Sequence, residues 1–337
     1  MPRYAKDQPA GFTNTIERVA IVGAGGTIGT HITTALLATG LHTITALTRP
    51  TSTTKLPPGI HIAPVDYTDE STLIAALQGH QFLIITLAPT APRDTHSKLV
   101  HAAAKAGIPY IMPNSYAGDI DNVKLNEDTL LGPVAQAQRA EIEALGMQWV
   151  ALCCGFWYEY SLAGGETRFG FDFARRRVTM YDEGRSVIST TTLKQVGRAV
   201  ARVLSLKVLP EDEFDGGLAL EGFLGKGVYV RSFVLTQRDM FESVLRVSGT
   251  RESEWVVVKE ESKMRYRDGL ALVKRGNMAG FSKLLYARAF WPEDSADLSG
   301  KAQNEVLGLP EEELDEATRA GIELVEELQL RVERMAA

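Results

Sequence analysis

Glycines crowd one short segment near the start of the chain, VAIVGAGGTIG at residues 19–29. Three of them follow one another at a spacing of three residues, and a fourth stands between the first two. Because glycine has no side chain, such a turn brings backbone N–H groups and a helix N-terminus close to a phosphate. The segment therefore predicts the pyrophosphate-binding turn of a dinucleotide site. The residues expected at this contact are Gly23, Gly25, Gly26, Thr27, Ile28 and Gly29.

The end of the second predicted strand discriminates between the two nicotinamide dinucleotides. An acidic residue there would bind the adenosine ribose and indicate NAD. This chain instead has Arg49, 20 residues after Gly29, and then Lys55 in the loop that follows. A guanidinium and an ammonium form charge-assisted hydrogen bonds with a phosphate. The sequence therefore favours NADPH, with both cations against the 2′-phosphate.

Two further strand ends are expected to touch the cofactor. Asp66 and Tyr67 end the third predicted strand, where an adenine ring would rest, although a simple turn accounts for them nearly as well. Thr86 to Pro89, at the end of the fourth strand, are expected to run beneath the ribose and nicotinamide. The predicted contacts in these places and after the fifth strand are Asp66, Tyr67, Leu87, Ala88, Pro89 and Pro113.

Aromatic residues follow the fifth and sixth predicted strands, at the edge where open α/β sheets bind ligands. A tyrosine hydroxyl there can donate a hydrogen bond to a carbonyl oxygen that gains negative charge. Tyr116 and Tyr158 are therefore the candidate catalytic residues, although such rings equally line an apolar wall. His96 either faces this edge or only supports the start of its helix. The residues expected against the substrate are His96, Asn114, Ser115, Phe156, Trp157 and Tyr160.

Composition and spacing argue against several other classes of protein. The six histidines have no ligand spacing, and neither CxxC, HExxH nor G-x-S-x-G occurs, so we expect no metal and no hydrolase elbow. A formal charge of −6 without a long basic run argues against nucleic acid or an anionic membrane surface as a partner. The two cysteines, Cys153 and Cys154, are adjacent, so they provide no framework of disulfide bonds. No apolar segment is long enough to span a membrane. We therefore expect a cytoplasmic protein.

The elements that must position these residues alternate between strand and helix. Strands are predicted at 19–22, 43–48, 60–65, 82–88, 110–112 and 148–154, with amphipathic helices between them. This alternation predicts an α/β fold, a doubly wound parallel Rossmann sheet with a smaller mixed α/β C-terminal lobe. We expect residues 17–155 to form the NADP(H)-binding domain, with later segments returning to its sheet, and residues 156–337 to form the substrate-binding lobe.

The second half has sparser signals. Thr192 and Gln195 have the spacing of a capping box, and Thr236 precedes a further helix with Asp239 at its third position. A strand is predicted at 228–234, and Pro310 is expected to occupy the first position of the final helix.

Several motifs together resemble the NmrA-like family, a group of atypical short-chain dehydrogenase/reductases that includes isoflavone and pinoresinol reductases. Besides the glycine turn and the basic residue after the second strand, they are YIMPNSYAGD (110–119), GFWYEYSL (155–162) and VTMYDEGRSVISTTTLKQVGRAVARVL (178–204). The resemblance covers about residues 17–325, and LPEEELDEATRAGIEL and LLYARAFWPE look like fungal members. It implies an NADPH-bound Rossmann domain and a small lobe that encloses a substrate cleft.

The chain departs from this family at residues that carry its chemistry. The plant reductases have a lysine in the helix before strand six as general acid or base. The matching segment, GPVAQAQRAEIEALG at 132–146, offers Ala135, Gln136 and Arg139 but no lysine. The family's Pro-Ser-Glu-Phe-Gly becomes PNSYA at 113–117, and no Tyr-x-x-x-Lys pair occurs. The plant mechanism therefore does not carry over.

These observations favour an NADPH-dependent reductase that transfers hydride to a carbonyl, imine or activated C=C of a small aromatic or natural-product-like substrate. The alternatives are a non-catalytic NADP(H)-sensing regulator of the NmrA type and a non-redox isomerase or cyclase that reuses the cleft. A monomer or a homodimer fits either case.

Overall fold

The computed structural model describes residues 3–336 of the 337-residue chain, with side chains for residues 3–328 and 330. Ala337, the last residue of the predicted second domain, lies outside the described residues. The strands are β1 (Arg18–Val22), β2 (Thr43–Thr48), β3 (His61–Pro64), β4 (Phe82–Ile85), β5 (Tyr110–Met112), β6 (Tyr116–Ala117), β7 (Gln148–Cys153), β8 (Phe156–Trp157), β9 (Phe171–Asp172), β10 (Arg177–Tyr181), β11 (Ile188–Thr191), β12 (Lys226–Tyr229), β13 (Phe233–Leu235) and β14 (Val256–Glu260). The helices are α1 (Thr27–Thr39), α2 (Glu70–Leu77), α3 (Thr95–Ala106), α4 (Val123–Asp128), α5 (Gly132–Ala144), α6 (Tyr158–Leu162), α7 (Leu193–Leu204), α8 (Gln237–Ser248), α9 (Ser262–Lys274), α10 (Ala279–Ala289) and α11 (Leu314–Ala336).

The large sheet is parallel throughout and confirms the predicted doubly wound fold. Its strands run in the order β3-β2-β1-β4-β5-β7-β12, and the short strand β6 also pairs with β7. The chain order reverses between β1 and β4, which opens a crevice at their carboxyl ends. The glycine turn lies at that crevice, directly after β1.

Helices cover both faces of this sheet, so its inner strands are apolar on both sides. The helices α1 and α7 pack on one face, and α2, α3 and α5 pack on the other. The backbones of α1 and α7 approach closely because Gly197 has no side chain: a β-carbon there would stand 2.3 Å from the carbonyl oxygen of His31.

The C-terminal lobe contains two small mixed sheets, as the fold-class prediction required. They have the strand orders β14-β10-β9 and β13-β11-β8, and each combines parallel and antiparallel pairs. Its core is rich in aromatic rings, among them Tyr158, Phe169, Phe171, Tyr181, Phe233, Phe241 and Phe290.

Polar contacts join this lobe to the connection between β5 and α5. Arg288 Nε donates to Asp128 Oδ2 over 2.7 Å, and Asn122 Nδ2 donates to Asp294 Oδ1 over 3.0 Å. Asp128 ends α4 and Asn122 precedes it, so the lobe is held against the carboxyl edge of the large sheet.

Two predicted elements of the second half are wrong. The predicted strand 228–234 is two strands, because the chain changes partner: the N–H of Val230 donates to β7, whereas the N–H of Ser232 donates to Thr190 of β11. The final helix begins at Leu314 rather than Pro310, whose carbonyl oxygen accepts from the Gln195 side chain.

The start of α7 explains the second of these errors. The Thr192 side chain caps α7 by accepting from the Gln195 N–H. The Gln195 side chain does not return to Thr192 but donates to the carbonyl oxygen of Pro310, so the predicted capping box is incomplete. Glu312 accepts from Thr192 and Arg198, so this segment braces α7 instead of starting a helix. The predicted N-cap at Thr236, with Asp239 at the third position, is confirmed, and the two residues form a capping box.

Candidate functional site

The glycine turn is packed too tightly for side chains. Gly23 has a φ of +80°, and a β-carbon on it would stand 2.0 Å from the carbonyl oxygen of Thr86. A β-carbon on Gly29 would stand 2.0 Å from the carbonyl oxygen of Gly23. Side chains at these positions would push α1 and the end of β4 away from β1. The turn therefore has the close helix–strand packing of a dinucleotide site.

The N-terminus of α1 is open at this turn. The N–H of Gly26 donates to the Gly23 carbonyl oxygen over 2.9 Å, and α1 then begins at Thr27. Gly26 and Thr27 are exposed, whereas Ile28 is buried beneath them. The first N–H groups of a helix have no partner within it and carry partial positive charge. This end of α1 can therefore hold a pyrophosphate.

The loop between β2 and β3 carries the two predicted phosphate-binding cations. It lies on the turn, since a β-carbon at Gly25 would stand 2.9 Å from the carbonyl oxygen of Lys55. Arg49 is near Tyr67: burial raises the pKa of the Tyr67 phenol, and the charge of Arg49 lowers it in part. Arg49 and Lys55 are exposed, and neither pairs with a carboxylate in the part of the chain that the structure describes.

Asp66 is occupied by its own turn. Its Oδ1 accepts from the backbone N–H and the hydroxyl of Thr68 over 2.8 Å and 2.7 Å, and these bonds hold the pKa of the carboxyl below its usual value. This is the simple turn that the sequence left open as the alternative. Tyr67 remains half-buried beside Arg49, where a base could stack on it.

The ends of β4 and β5 are tied together beside the turn. The hydroxyl of Thr86 donates to the Val22 carbonyl oxygen over 2.8 Å. Asn114 bonds both backbone groups of Leu87: its Oδ1 accepts from the N–H over 3.0 Å, and its Nδ2 donates to the carbonyl oxygen over 3.3 Å. The amide of Asn114 therefore positions residues 87–89, of which Ala88 and Pro89 are exposed, while Pro113 before it is buried.

Tyr116 lies in the core at the carboxyl edge of the sheet. Its side chain is 7% exposed, and its hydroxyl has no hydrogen-bond partner among the described residues. Burial, with a smaller contribution from the neighbouring Cys154, holds the pKa of this hydroxyl far above its usual value. Tyr116 is therefore a neutral donor at physiological pH. Ser115 beside it is half-buried.

The structure places Tyr158 and His96 away from an accessible cleft. Tyr158 is 0% exposed, and its hydroxyl is hydrogen-bonded to Thr318 over 2.8 Å. Burial raises the pKa of this hydroxyl above that of a free tyrosine. His96 is 3% exposed, with Nδ1 3.9 Å from Glu141 Oε2, and burial lowers its pKa to about 4. Tyr158 therefore offers no free donor, because its hydroxyl already has a partner in Thr318, and His96 offers no accessible contact.

The other aromatic residues after β7 form a half-exposed surface, which we call the aromatic wall: Phe156, Trp157 and Tyr160. The ring of Trp157 adjoins the Cys154 thiol and meets Tyr160 edge-on at 5.5 Å between centroids. Phe156 packs on Tyr286 of α10 at 4.4 Å. The wall therefore joins the end of β7 to the C-terminal lobe.

Two side chains beside the wall have no signal in the sequence. Tyr286 reaches Phe156 from 130 positions further along the chain, and Arg168 stacks on Tyr160 with its guanidinium carbon 3.9 Å from the ring centroid. Arg168 belongs to no motif, and Tyr286 lies in LLYARAFWPE, a segment that predicts no place at the site, so only the fold brings the two side chains there.

Arg139 does not replace the missing lysine of α5. Its guanidinium lies over the ring of Trp149, 5.2 Å from the centroid. Both line a cleft of about 590 Å³ beside the edge strand β12, together with Tyr229 and Lys301. This cleft is far from the glycine turn in strand order, because β12 and β1 are separated by three strands.

Within residues 3–336, no group of three or more metal-ligating side chains comes together. No helix of the described chain has the length and apolar character needed to cross a membrane.

Comparison with known proteins extends these observations. A model of the family described as NAD(P)H-binding matches residues 23–203, more than half of the chain. Oxidoreductase aprR of Aspergillus flavus is 28% identical over 309 residues, which are 89% of this chain and 96% of aprR.

Two solved structures have a similar fold. One is AtPrR2 with NADP+ and (+)-pinoresinol, with a TM-score of 0.68, 18% identity and coverage of 91% of this chain and 99% of that chain. The other is isoflavone reductase, with a TM-score of 0.66, 20% identity and coverage of 90% and 99%. Together with the fungal oxidoreductase, they confirm the resemblance that the motifs indicated and the assignment of a nicotinamide dinucleotide as cofactor.

Proposed function

Since the chain belongs to the NAD(P)H-binding family, we propose that it is an NADPH-dependent reductase of small aromatic acceptors. The acceptor group is a carbonyl, an imine or an activated C=C. When bound, NADPH supplies the hydride. The chain's own residues hold the cofactor, orient the acceptor and keep water from the reacting atoms.

One observation carries this proposal. The glycine turn and the aromatic wall stand at the carboxyl ends of β1 and β7, which are strands of one parallel sheet. A dinucleotide that begins at the turn extends along that edge, so its reactive end and the wall would meet.

The residues at the turn match the charges of NADPH. The N-terminus of α1 would hold the pyrophosphate, and Arg49 and Lys55 would hold the 2′-phosphate. Tyr67 offers a ring for the adenine. The segment 87–89, positioned by Asn114, would support the ribose and nicotinamide.

The aromatic wall and Tyr116 would act on the acceptor. The half-exposed rings of Trp157 and Tyr160 bind flat apolar molecules and displace water from them. Tyr116 would donate a hydrogen bond to the acceptor oxygen as negative charge develops there, because its unpartnered hydroxyl stays neutral. This hydroxyl is buried in the structure, so the acceptor would have to displace the packing that covers it. Its raised pKa makes it a poor acid, so the final proton comes from solvent water as the reduced product leaves the apolar site.

The test is oxidation of NADPH in the presence of a panel of quinones, enones, aromatic aldehydes and imines. We expect turnover with at least one class, and a raised KM for that acceptor in Trp157→Ala with cofactor affinity unchanged. Phe214→Ala is the matched control, because that ring is 88% exposed in a different loop. Absence of turnover with the whole panel would contradict the proposal.

The burial of Tyr116 and Tyr158 favours one alternative, an NADP(H)-sensing regulator. Neither predicted donor is open to a substrate in this structure. A regulator would bind NADP+ and NADPH without turnover, and Trp157→Ala would alter no reaction.

A further inference from the structure

Arg168 is held flat in a slot beside the aromatic wall. Its guanidinium lies 3.9 Å from the centre of the Tyr160 ring on one side. It also covers Gly164, where a β-carbon would stand 1.9 Å from Arg168 Cδ, 2.3 Å from Nε and 2.6 Å from Cζ. Its Nη1 donates to the carbonyl oxygen of Tyr160. Three contacts therefore fix the plane and the direction of this side chain.

Two of the three guanidinium nitrogens have no hydrogen-bond acceptor among the described residues. With Nη1 bonded to the backbone, Nε and Nη2 have no acceptor in the described part of the chain, and neither is sealed from solvent. These two N–H groups form the fork that binds both oxygens of a carboxylate.

The other central arginines of the lobe differ from Arg168 in this respect. Arg265 pairs with Glu166 and Glu260, and Arg288 pairs with Asp128 and Asp294. Arg168 pairs with no carboxylate in residues 3–328. A guanidinium that is fixed in place, partly desolvated and without a counter-ion favours an anion supplied by a ligand.

We propose that Arg168 makes the site selective for aromatic acceptors that carry a carboxylate. The ring of such a molecule lies on the wall formed by Trp157 and Tyr160, and its carboxylate pairs with Nε and Nη2 of Arg168. This inference rests on the proposed function, since it takes the wall as the acceptor site.

The test measures binding as well as turnover. Benzoate, cinnamate and 2-naphthoate are titrated calorimetrically into the NADP+-loaded protein, each beside its methyl ester. We expect the wild type to prefer at least one acid over its ester. Arg168→Gln should weaken binding of that acid tenfold or more, by loss of a charged hydrogen-bond pair, and leave the ester unchanged.

Matched variants distinguish the loss of the Arg168 contact from a mere change in the protein's net charge. Arg175→Gln removes the same charge from a side chain that is 82% exposed seven positions away, and should leave both affinities unchanged. Gly164→Ala should reproduce part of the Arg168→Gln loss, because its methyl group occupies the slot. Thermal unfolding identifies any variant that fails to fold.

The two proposals fail in different ways. Equal binding of every acid and its ester by the wild type, or an unchanged acid affinity in Arg168→Gln, would overturn the role of Arg168 even if a neutral acceptor is reduced. Arg168-dependent binding of an acid, with no acceptor oxidising NADPH, would overturn the reductase and keep the carboxylate site.

Discussion

The cofactor end of the candidate site is shaped by backbone atoms, whereas the substrate end is shaped by side chains. At the cofactor end, the turn is shaped by backbone atoms, and the tightest contacts are those of Gly23 and Gly29 with carbonyl oxygens. At the substrate end, the surface is made of side chains that come from β8, α6, the segment after α6 and α10. Backbone geometry tolerates few substitutions, whereas a side-chain surface changes residue by residue. We therefore expect mutations to damage the first end through the fold and the second through ligand choice.

The largest expected effect is that of Gly23→Ala. The new methyl group would combine a strained φ with overlap on the Thr86 backbone, and should lower the free energy of unfolding by about 4 kcal/mol. Gly40→Ala is the control, because Gly40 also has a positive φ of +68° but has nothing within 4 Å of a β-carbon. It should cost only about 1–2 kcal/mol in urea unfolding. Equal costs would show that the close approach to Thr86 contributes nothing.

Arg49→Ala should affect the cofactor end without affecting the fold. Loss of a charged hydrogen bond to the 2′-phosphate should weaken NADPH binding by about 1.5–3 kcal/mol and leave NADH binding nearly unchanged. Arg267→Ala, at an exposed position of α9, controls for the change in net charge. Equal weakening of both dinucleotides, measured by titration calorimetry, would remove Arg49 from the 2′-phosphate.

The cofactor end could be predicted from the sequence because its determinants are local. Gly23 to Gly29 lie in one turn, and the continuous apolar runs of β1 and β4 place that turn in a buried parallel sheet. The parallel sheet and the mixed second lobe were predicted from the alternation of strands and helices along the chain.

The substrate end could not be predicted in the same way, because its side chains depend on packing between distant segments. Tyr158 and Tyr160 are two positions apart, yet α6 turns the first into the lobe core and leaves the second half-exposed. Asn114 is used by the Leu87 backbone, a contact that no motif contains. Arg168 meets Tyr160 only because Gly164 leaves room for it.

The substrate end also has a group that titrates near neutral pH. Glu159 of α6 accepts from the N–H of Leu193 over 3.1 Å. Burial, and to a lesser degree the charge of Glu312, raises the pKa of Glu159 to about 7. A raised pKa in the folded state means that this group favours folding at low pH. That contribution is present below the unfolded pKa near 4.5 and is lost as the pH rises through about 7.

Glu159→Gln should therefore stabilise the protein on the alkaline side. The neutral amide keeps an acceptor for Leu193, so the free energy of unfolding should rise by about 1–2 kcal/mol at pH 8, after allowance for partial exposure, and change little at pH 5. Glu127→Gln, at an exposed position of α4, should show no such pH dependence. Urea unfolding at the two pH values measures both variants, and an equal effect of Glu159→Gln at both would contradict the raised pKa.

Tyr116→Phe should have the smallest effect on the fold and is the sharpest test of the substrate end. Removal of a buried hydroxyl that has no partner should leave stability unchanged or raise it by up to about 1 kcal/mol. If the hydroxyl stabilises the reduced acceptor, kcat should fall by about tenfold or more while the affinity for NADPH stays the same. Tyr158→Phe provides the contrast, because its hydroxyl is bonded to Thr318 and its loss should reduce stability but not kcat. A Tyr116→Phe enzyme with full kcat would remove Tyr116 from the reaction and leave the aromatic wall and Arg168 to orient the acceptor.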